Sequence, residues 1–256
     1  MRNIVKAGVV LCATLGAGAA LAADGKPVVL VVGATGKTGG AAVEQLVAQG
    51  RWQVRAMVRD PGKAAAFPTG VEVVTGDLRD AASLAPAVQG ASYVISAAGS
   101  TGGEWFGDNR PEKVDYEGVR NLATAARAAG VRHLCLVSSM GVTHADHPLN
   151  KRLNNIFDWK LKGEAALRGS GVGYTIVRPG GLRDEPGGRQ GVKATQGDTL
   201  EDQGTIPRAD VAAACIAALT LEAARGVTFE LVGVPGTPPP DWAQVYAGLA
   251  EDAHGR

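Results

Sequence analysis

Short runs of apolar, mostly β-branched residues alternate with longer stretches in which apolar positions recur every three or four residues, and this alternation begins near Lys26. The runs at 28–32, 53–58, 71–74, 92–97, 133–138, 174–178 and 228–232 predict strands, and helices fill most of the gaps between them. Five consecutive apolar residues, Val28-Val29-Leu30-Val31-Val32, leave no polar face, as expected of a parallel strand covered on both sides. Gly50, Gly90 and Gly130 each follow a helical run and precede a strand, the place of a helix C-cap. The pattern predicts one α/β domain over residues 23–256: a Rossmann-type doubly wound parallel sheet with helices on both faces. Its ligand is expected outside the carboxyl ends of the strands, where strand order reverses.

The first residues differ in kind. Arg2 and Lys6 flank the start of an apolar, small-residue run over 7–22 that ends in Ala20-Leu21-Ala22, which reads as a signal peptide over residues 1–22. That reading places the mature protein in the periplasm or outside the cell, with no stable membrane span after cleavage. An uncleaved anchor, or a different start with a cytoplasmic protein, is the alternative. The rest of the composition narrows the partners. With Lys+Arg 26, Asp+Glu 25 and a net charge of +1, the chain offers no electrostatic footprint for nucleic acid or an acidic membrane face. A small-molecule substrate is the expected partner, and nothing in the pattern sets an oligomeric state. Cys135 and Cys215 sit in apolar runs and read as core residues, whereas Cys12 would leave with the signal peptide.

The first strand runs into Gly33-Ala34-Thr35-Gly36-Lys37-Thr38-Gly39, followed by an apolar helix and a second strand. In that βαβ setting the turn reads as a phosphate cradle. Gly33 permits a tight turn, Gly36 lets a pyrophosphate approach the backbone, and Gly39 lets the helix lie close to the sheet. The amides of the first helical turn, through Thr35, Lys37 and Thr38, would attract the anion. An ordinary glycine turn is the bland alternative. The second strand ends in Arg59-Asp60, where an enzyme using NAD usually places a carboxylate on the ribose. Arg59, with Lys63 adding charge, fits a 2′-phosphate and favours NADP over NAD, unless Asp60 is the residue that faces the ribose. Asp77 and Leu78 end the third strand, where the adenine passes in such folds, although Asp77 could equally cap the next helix. Ala97 and Ala98 after the fourth strand would let the nicotinamide ribose lie on backbone. Ser138 and Ser139 put hydroxyls at the same edge, and Pro179-Gly180 could border the ring.

Taken in order, Gly33-Ala34-Thr35-Gly36-x-x-Gly39, Val58-Arg59-Asp60, Gly76-Asp77-Leu78, Val137-Ser138-Ser139, Lys160-x-x-x-Glu164 and Arg178-Pro179-Gly180 resemble an atypical short-chain dehydrogenase/reductase of the NAD(P)H-binding, NmrA-like kind. Val114-Asp115-Tyr116-Glu117-Gly118 carries a finer likeness to the group around the reductase-like domain of the chloroplast import component Tic62 and to flavin and biliverdin reductases. The resemblance implies a Rossmann fold with one bound NADP(H). It also implies hydride transfer to a small carbonyl, quinone or flavin-like acceptor. Short-chain dehydrogenases place a Tyr four residues before a Lys on one helix face. Matched through Glu164, that lysine is Lys160 and the Tyr position holds Ile156; with Lys162 as the match the position holds Asp158. Lys160 is then a ribose contact, and the proton of the reaction would come from solvent or Ser139. A dinucleotide-binding sensor without chemistry is the second reading, favoured by Ile156, and an epimerase is the third. Tyr116 reads as a packing residue. His144 and His147 lack the further ligands of a metal site, so no metal is expected. Asp210 reads as a helix cap, and Trp242, Val245, Tyr246 and Leu249 read as one face of a docking helix.

Overall fold

The computed structural model describes residues 25–100, 106–201 and 203–253. The expected signal peptide, and Thr101 to Gly103 of the expected small-residue loop, lie outside the described residues. The chain runs β1 (Val28–Val32), α1 (Lys37–Gln49), β2 (Gln53–Val58), β3 (Glu72–Thr75), α2 (Ala81–Val88), β4 (Tyr93–Ser96), α3 (Val119–Ala128), β5 (His133–Val137), α4 (Pro148–Arg152), α5 (Ile156–Arg168), β6 (Tyr174–Pro179), β7 (Gly181–Arg183), β8 (Gly191–Thr195), β9 (Thr205–Pro207), α6 (Arg208–Ala218), β10 (Val227–Val234) and α7 (Trp242–Ala247). A 3₁₀ turn, Pro61–Ala66, follows β2, and a π-helical segment, Glu112–Gly118, leads into α3.

Eight strands form one sheet in the order β3-β2-β1-β4-β5-β6-β10-β8, with β8 alone antiparallel to its neighbour. Strand order reverses between β1 and β4, so the crevice at their carboxyl ends is the ligand position of this architecture. Strand β1 is buried along its whole length because successive side chains feed opposite cores. Val29 and Val31 pack with α1 and α6, and Val28, Leu30 and Val32 with α2 and α3. The three helix-ending glycines, Gly50, Gly90 and Gly130, have φ of 66°, 75° and 72°, the left-handed conformation that makes glycine the residue of choice there.

The expected strands are present with limits displaced by a residue or two. The pattern gave no sign of β7, β8, β9 or α4. The sheet is therefore mixed rather than wholly parallel. Each missed element is at most five residues long, and β8 turns only Val192 and Ala194 toward the core, too few positions for a periodic signal. Trp242, Tyr246 and Leu249 do pack on the core from the C-terminal segment. No helix among the described residues is long and apolar enough to cross a membrane.

Candidate functional site

A cavity of about 270 Å³ opens at the carboxyl ends of β1 to β4. Gly33 shapes its floor: φ is +79°, and a Cβ there would lie 2.6 Å from the Ala98 nitrogen. Gly39 packs α1 onto the same turn, since a Cβ on it would lie 2.2 Å from the Gly33 carbonyl oxygen. The Gly36 amide closes the turn on Gly33 O at 2.9 Å. Gly36 is also the N-cap of α1 and has no side chain to cover the helix end. The amides of Lys37, Thr38 and Gly39 thus have no intrahelical carbonyl, and the helix presents its positive end at the cavity rim.

Of the expected cofactor residues, Gly33, Thr35, Gly36, Arg59, Asp77, Leu78, Ala97 and Ala98 line this one cavity. Thr38 and Gly39 are buried beneath the turn, and Lys63 stands exposed on the 3₁₀ turn. Lys37 points the other way, pairing with Asp184, which also receives Arg208 above a neighbouring groove. Arg59 and Asp60 take different places. Asp60 accepts the Gly62 amide at 2.9 Å and caps the 3₁₀ turn, while Arg59 borders the cavity with its guanidinium 3.4 Å from Asn109 Oδ1. Asp77 is not the cap of α2, a role that Asp80 fills by accepting the Ala82 amide. Its carboxylate is instead gripped by Arg79, whose hydrogen bond, outweighing the effect of burial, holds the carboxyl below its usual range. Arg79 and Asn109 line the cavity too and were not singled out from the sequence; a cation two residues past the expected adenine corner was the available signal.

At the other end of the crevice the hydroxyls are committed to the protein. Ser138 Oγ donates to Glu164 at 2.6 Å, and Ser139 Oγ to the Met140 carbonyl at 3.1 Å. Ser138 also lines a small recess beside the cavity together with Ala98, Asp115 and Lys160. Pro179 and Gly180 do not border the cavity. The Pro179 carbonyl accepts the Met140 amide, the Gly180 amide bonds Leu231 O, and a Cβ on Gly180 would lie 2.4 Å from Gly204 O, so this turn holds the sheet end together. Lys160 reaches Asp115 Oδ1 at 2.8 Å. Ile156 packs with Val142 and Phe157, and Asp158 accepts from Asn150 at 2.9 Å, bracing α4 against α5.

The sequence reading missed a buried ionic cluster behind this end. Glu164, fully buried, accepts from Ser138, Arg168 and Arg178, and Arg178 continues to Glu230 at 3.1 Å. Burial opposes charge on Arg178, but the hydrogen bonds and charges of Glu164 and then Glu230 outweigh it and raise its pKa. Burial likewise raises the Glu230 carboxyl, against the Asp198 amide and Arg178. An acid inside a helix run and an arginine inside an apolar strand were its traces in the sequence.

The remaining candidates take structural places. Tyr116 stacks on Trp159 with ring centres 6.1 Å apart. His147 accepts the Leu149 amide, and His144 meets the Asp198 carbonyl. Asp210 does not cap α6. It accepts the Gly188 amide at 2.6 Å, and burial raises its carboxyl. Among the described residues no group of three His, Cys, Asp or Glu could hold a metal ion.

A family model described as NAD(P)H-binding matches residues 33–222. Sanguinarine reductase of Eschscholzia californica is 35% identical over 246 residues, covering 82% of this chain and 90% of that protein. The chloroplast protein TIC 62 of Pisum sativum is 36% identical over 200 residues, which cover 70% of this chain but 36% of its own length. Among solved structures, a putative NAD-dependent epimerase/dehydratase from Bacillus halodurans superimposes with a TM-score of 0.74 at 28% identity, covering 86% of this chain and 99% of that one. The anaerobilin reductase ChuY from Escherichia coli O157:H7 gives 0.68 at 28% identity, covering 83% and 100%.

Proposed function

The chain belongs to the NAD(P)H-binding family of atypical short-chain dehydrogenase/reductases, and from that premise we propose that it binds NADPH in the β1–β4 crevice and reduces a small carbonyl, quinone or flavin-like acceptor. The observation that carries the choice of coenzyme is the division of labour at the end of β2, where Arg59 faces the cavity and Asp60 is spent on a turn. A guanidinium there matches a 2′-phosphate, whereas a carboxylate would repel it. The cradle fits a diphosphate: Cβ atoms at Gly33 and Gly39 would fill it, and the uncapped end of α1 supplies donors. Bound there, the reduced nicotinamide would supply the hydride. Lys160 would hold the ribose hydroxyls, and the proton would come from solvent or Ser139. The reductase names of two similar proteins support the reaction class.

A second reading, a dinucleotide sensor without turnover, is favoured by Ile156 at the position of the missing Tyr. Calorimetric titration with NADPH and NADH, followed by absorbance at saturating NADPH with quinones, flavins and aldehydes, separates the two. Tighter binding of NADPH with oxidation by a member of the panel is the expected result. Binding without oxidation supports the sensor, and heat from neither coenzyme overturns both. Export is proposed with cleavage after Ala22; a mature chain whose mass begins at Met1 would overturn that cleavage.

A further inference from the structure

Helix α5 and the π-helical segment Glu112–Gly118 approach so closely that a Cβ on Gly163 would lie 2.1 Å from the Asp115 carbonyl oxygen. That contact sets the side chain of Asp115 beside the one cation α5 sends toward the crevice. Asp115 is 1% exposed, Lys160 is 15% exposed, and Nζ stands 2.8 Å from Oδ1. The other oxygen, Oδ2, accepts the Ser100 amide at 3.1 Å and the Ser100 hydroxyl at 2.5 Å. Gly99 leaves the space, since a Cβ on it would lie 3.1 Å from Asp115 Oδ1 and 3.3 Å from Lys160 Nζ. One carboxylate therefore ties together the loop after β4, the segment before α3 and the lysine of α5. A π-helical turn is an uncommon local geometry that concentrates at functional sites, and it is what carries this residue.

We propose that Asp115 is a positioning residue that fixes the Lys160 ammonium and the Ser100 loop at the nicotinamide end of the crevice. An ammonium has three protons, and Asp115 takes one, leaving two donors in a fixed direction for the two oxygens of a ribose diol. Without the carboxylate the lysine has four rotatable bonds and no partner to orient it, and the loop loses both of its anchors. The proposal rests on the NADPH reading above. It adds that the lysine works through a second residue, which the motif around Lys160 does not contain.

The test is a fluorescence titration of NADPH against wild type, Asp115→Ala, Asp115→Asn, Lys160→Met and the Asp115→Ala/Lys160→Met double variant, with a thermal melt of each. Asp115→Ala is expected to weaken NADPH about tenfold and to move the emission maximum of the bound coenzyme, whereas Asp115→Asn, which keeps an acceptor for Lys160, stays within about threefold with the wild-type spectrum. In the Lys160→Met background the Asp115→Ala change should cost less than about twofold, because the two residues act as one unit. An Asp115→Ala protein within about twofold of wild type, or one that loses the same about tenfold without Lys160, overturns the proposal. Should Asp115→Ala fail to fold, Asp115→Leu, which keeps the volume and removes both acceptors, decides with and without Lys160→Met by the same criterion, a loss of about tenfold that disappears with the lysine. Wild type that binds no NADPH defeats the parent reading itself, a result distinct from wild type that binds and an Asp115 variant that binds equally well.

Discussion

His133 occupies the first position of β5, 1% exposed, with Nε2 2.8 Å from Thr175 Oγ1. Burial, with a smaller contribution from the Arg225 charge, pushes its imidazole down to about 4 from 6.5. A histidine depressed in the folded state binds its proton more readily when unfolded. Its stabilisation is therefore complete above pH 6.5 and is lost as pH falls toward 4, with an upper bound of about 3 kcal/mol. Urea midpoints are expected to fall between pH 6.5 and 4.5 in wild type and to fall less in His133→Gln; parallel profiles for the two would refute the assignment. Arg59 carries the other prediction at this scale. Losing one charge-assisted contact to the 2′-phosphate should weaken NADPH in Arg59→Ala about 10- to 100-fold and leave NADH unchanged, and an equal loss for both coenzymes would remove Arg59 from coenzyme choice. At the residue level, legibility divided by the kind of signal. Glycines at a strand-to-helix turn and a basic residue at a strand end declare themselves locally, because one backbone junction sets their surroundings. Lys160 lies 45 residues from Asp115, Arg178 lies 14 residues from Glu164 and Arg79 lies two residues from Asp77, and only the first two pairings require the fold to be known. The Asp77 pairing was readable in principle, since Arg79 stands on the same corner.

Among the elements, the β1–α1 junction has little room to change. A Cβ at position 39 would meet the Gly33 carbonyl oxygen at 2.2 Å, backbone against backbone, so Gly39→Ala must push α1 away from the turn. A loss of about 1–3 kcal/mol follows from such overpacking, together with NADPH affinity, because the amides of the first turn move with the helix. Gly40 is the internal control. A Cβ there would lie at an ordinary 3.6 Å from Ala34 O, and replacing a glycine inside a helix by alanine stabilises by about 0.5–1 kcal/mol. Denaturation of the two variants should therefore move in opposite directions. A Gly39→Ala protein as stable as Gly40→Ala would mean that the close approach is not required. The same local logic made the main strands legible: each is an apolar run bounded by glycine or a polar turn. Elements β7 to β9 escaped because pairing across long loops fixes them, as when Gly181 to Arg183 meet Thr205 to Pro207, and no periodic stretch of sequence announces such a pair.

Across the whole molecule, the crevice and the C-terminal segment are separate loads on one sheet. The crevice opens at β1 to β4, whereas α7 returns over α6 and β10, where Tyr246 is fully buried, donates its hydroxyl to Ala214 O at 2.9 Å and meets Phe229 edge-on. Tyr246 lines neither the cavity nor the recess beside it. Removing its ring should cost about 3–5 kcal/mol, as for other large buried aromatics, while Tyr246→Phe, which loses one hydrogen bond, should cost about 1 kcal/mol. Neither change should alter NADPH affinity by more than about twofold, since sites without shared partners act independently. The two loads then add in a measurable way. Coenzyme at a hundred times its dissociation constant contributes about 2.7 kcal/mol to whichever folded chain binds it, so the same increment in stability is expected on wild type and on Tyr246→Ala. Urea denaturation with and without NADPH reads this directly. A smaller increment on the variant would mean that loss of the C-terminal anchor reaches the crevice, and that the sheet does not hold the two ends independently.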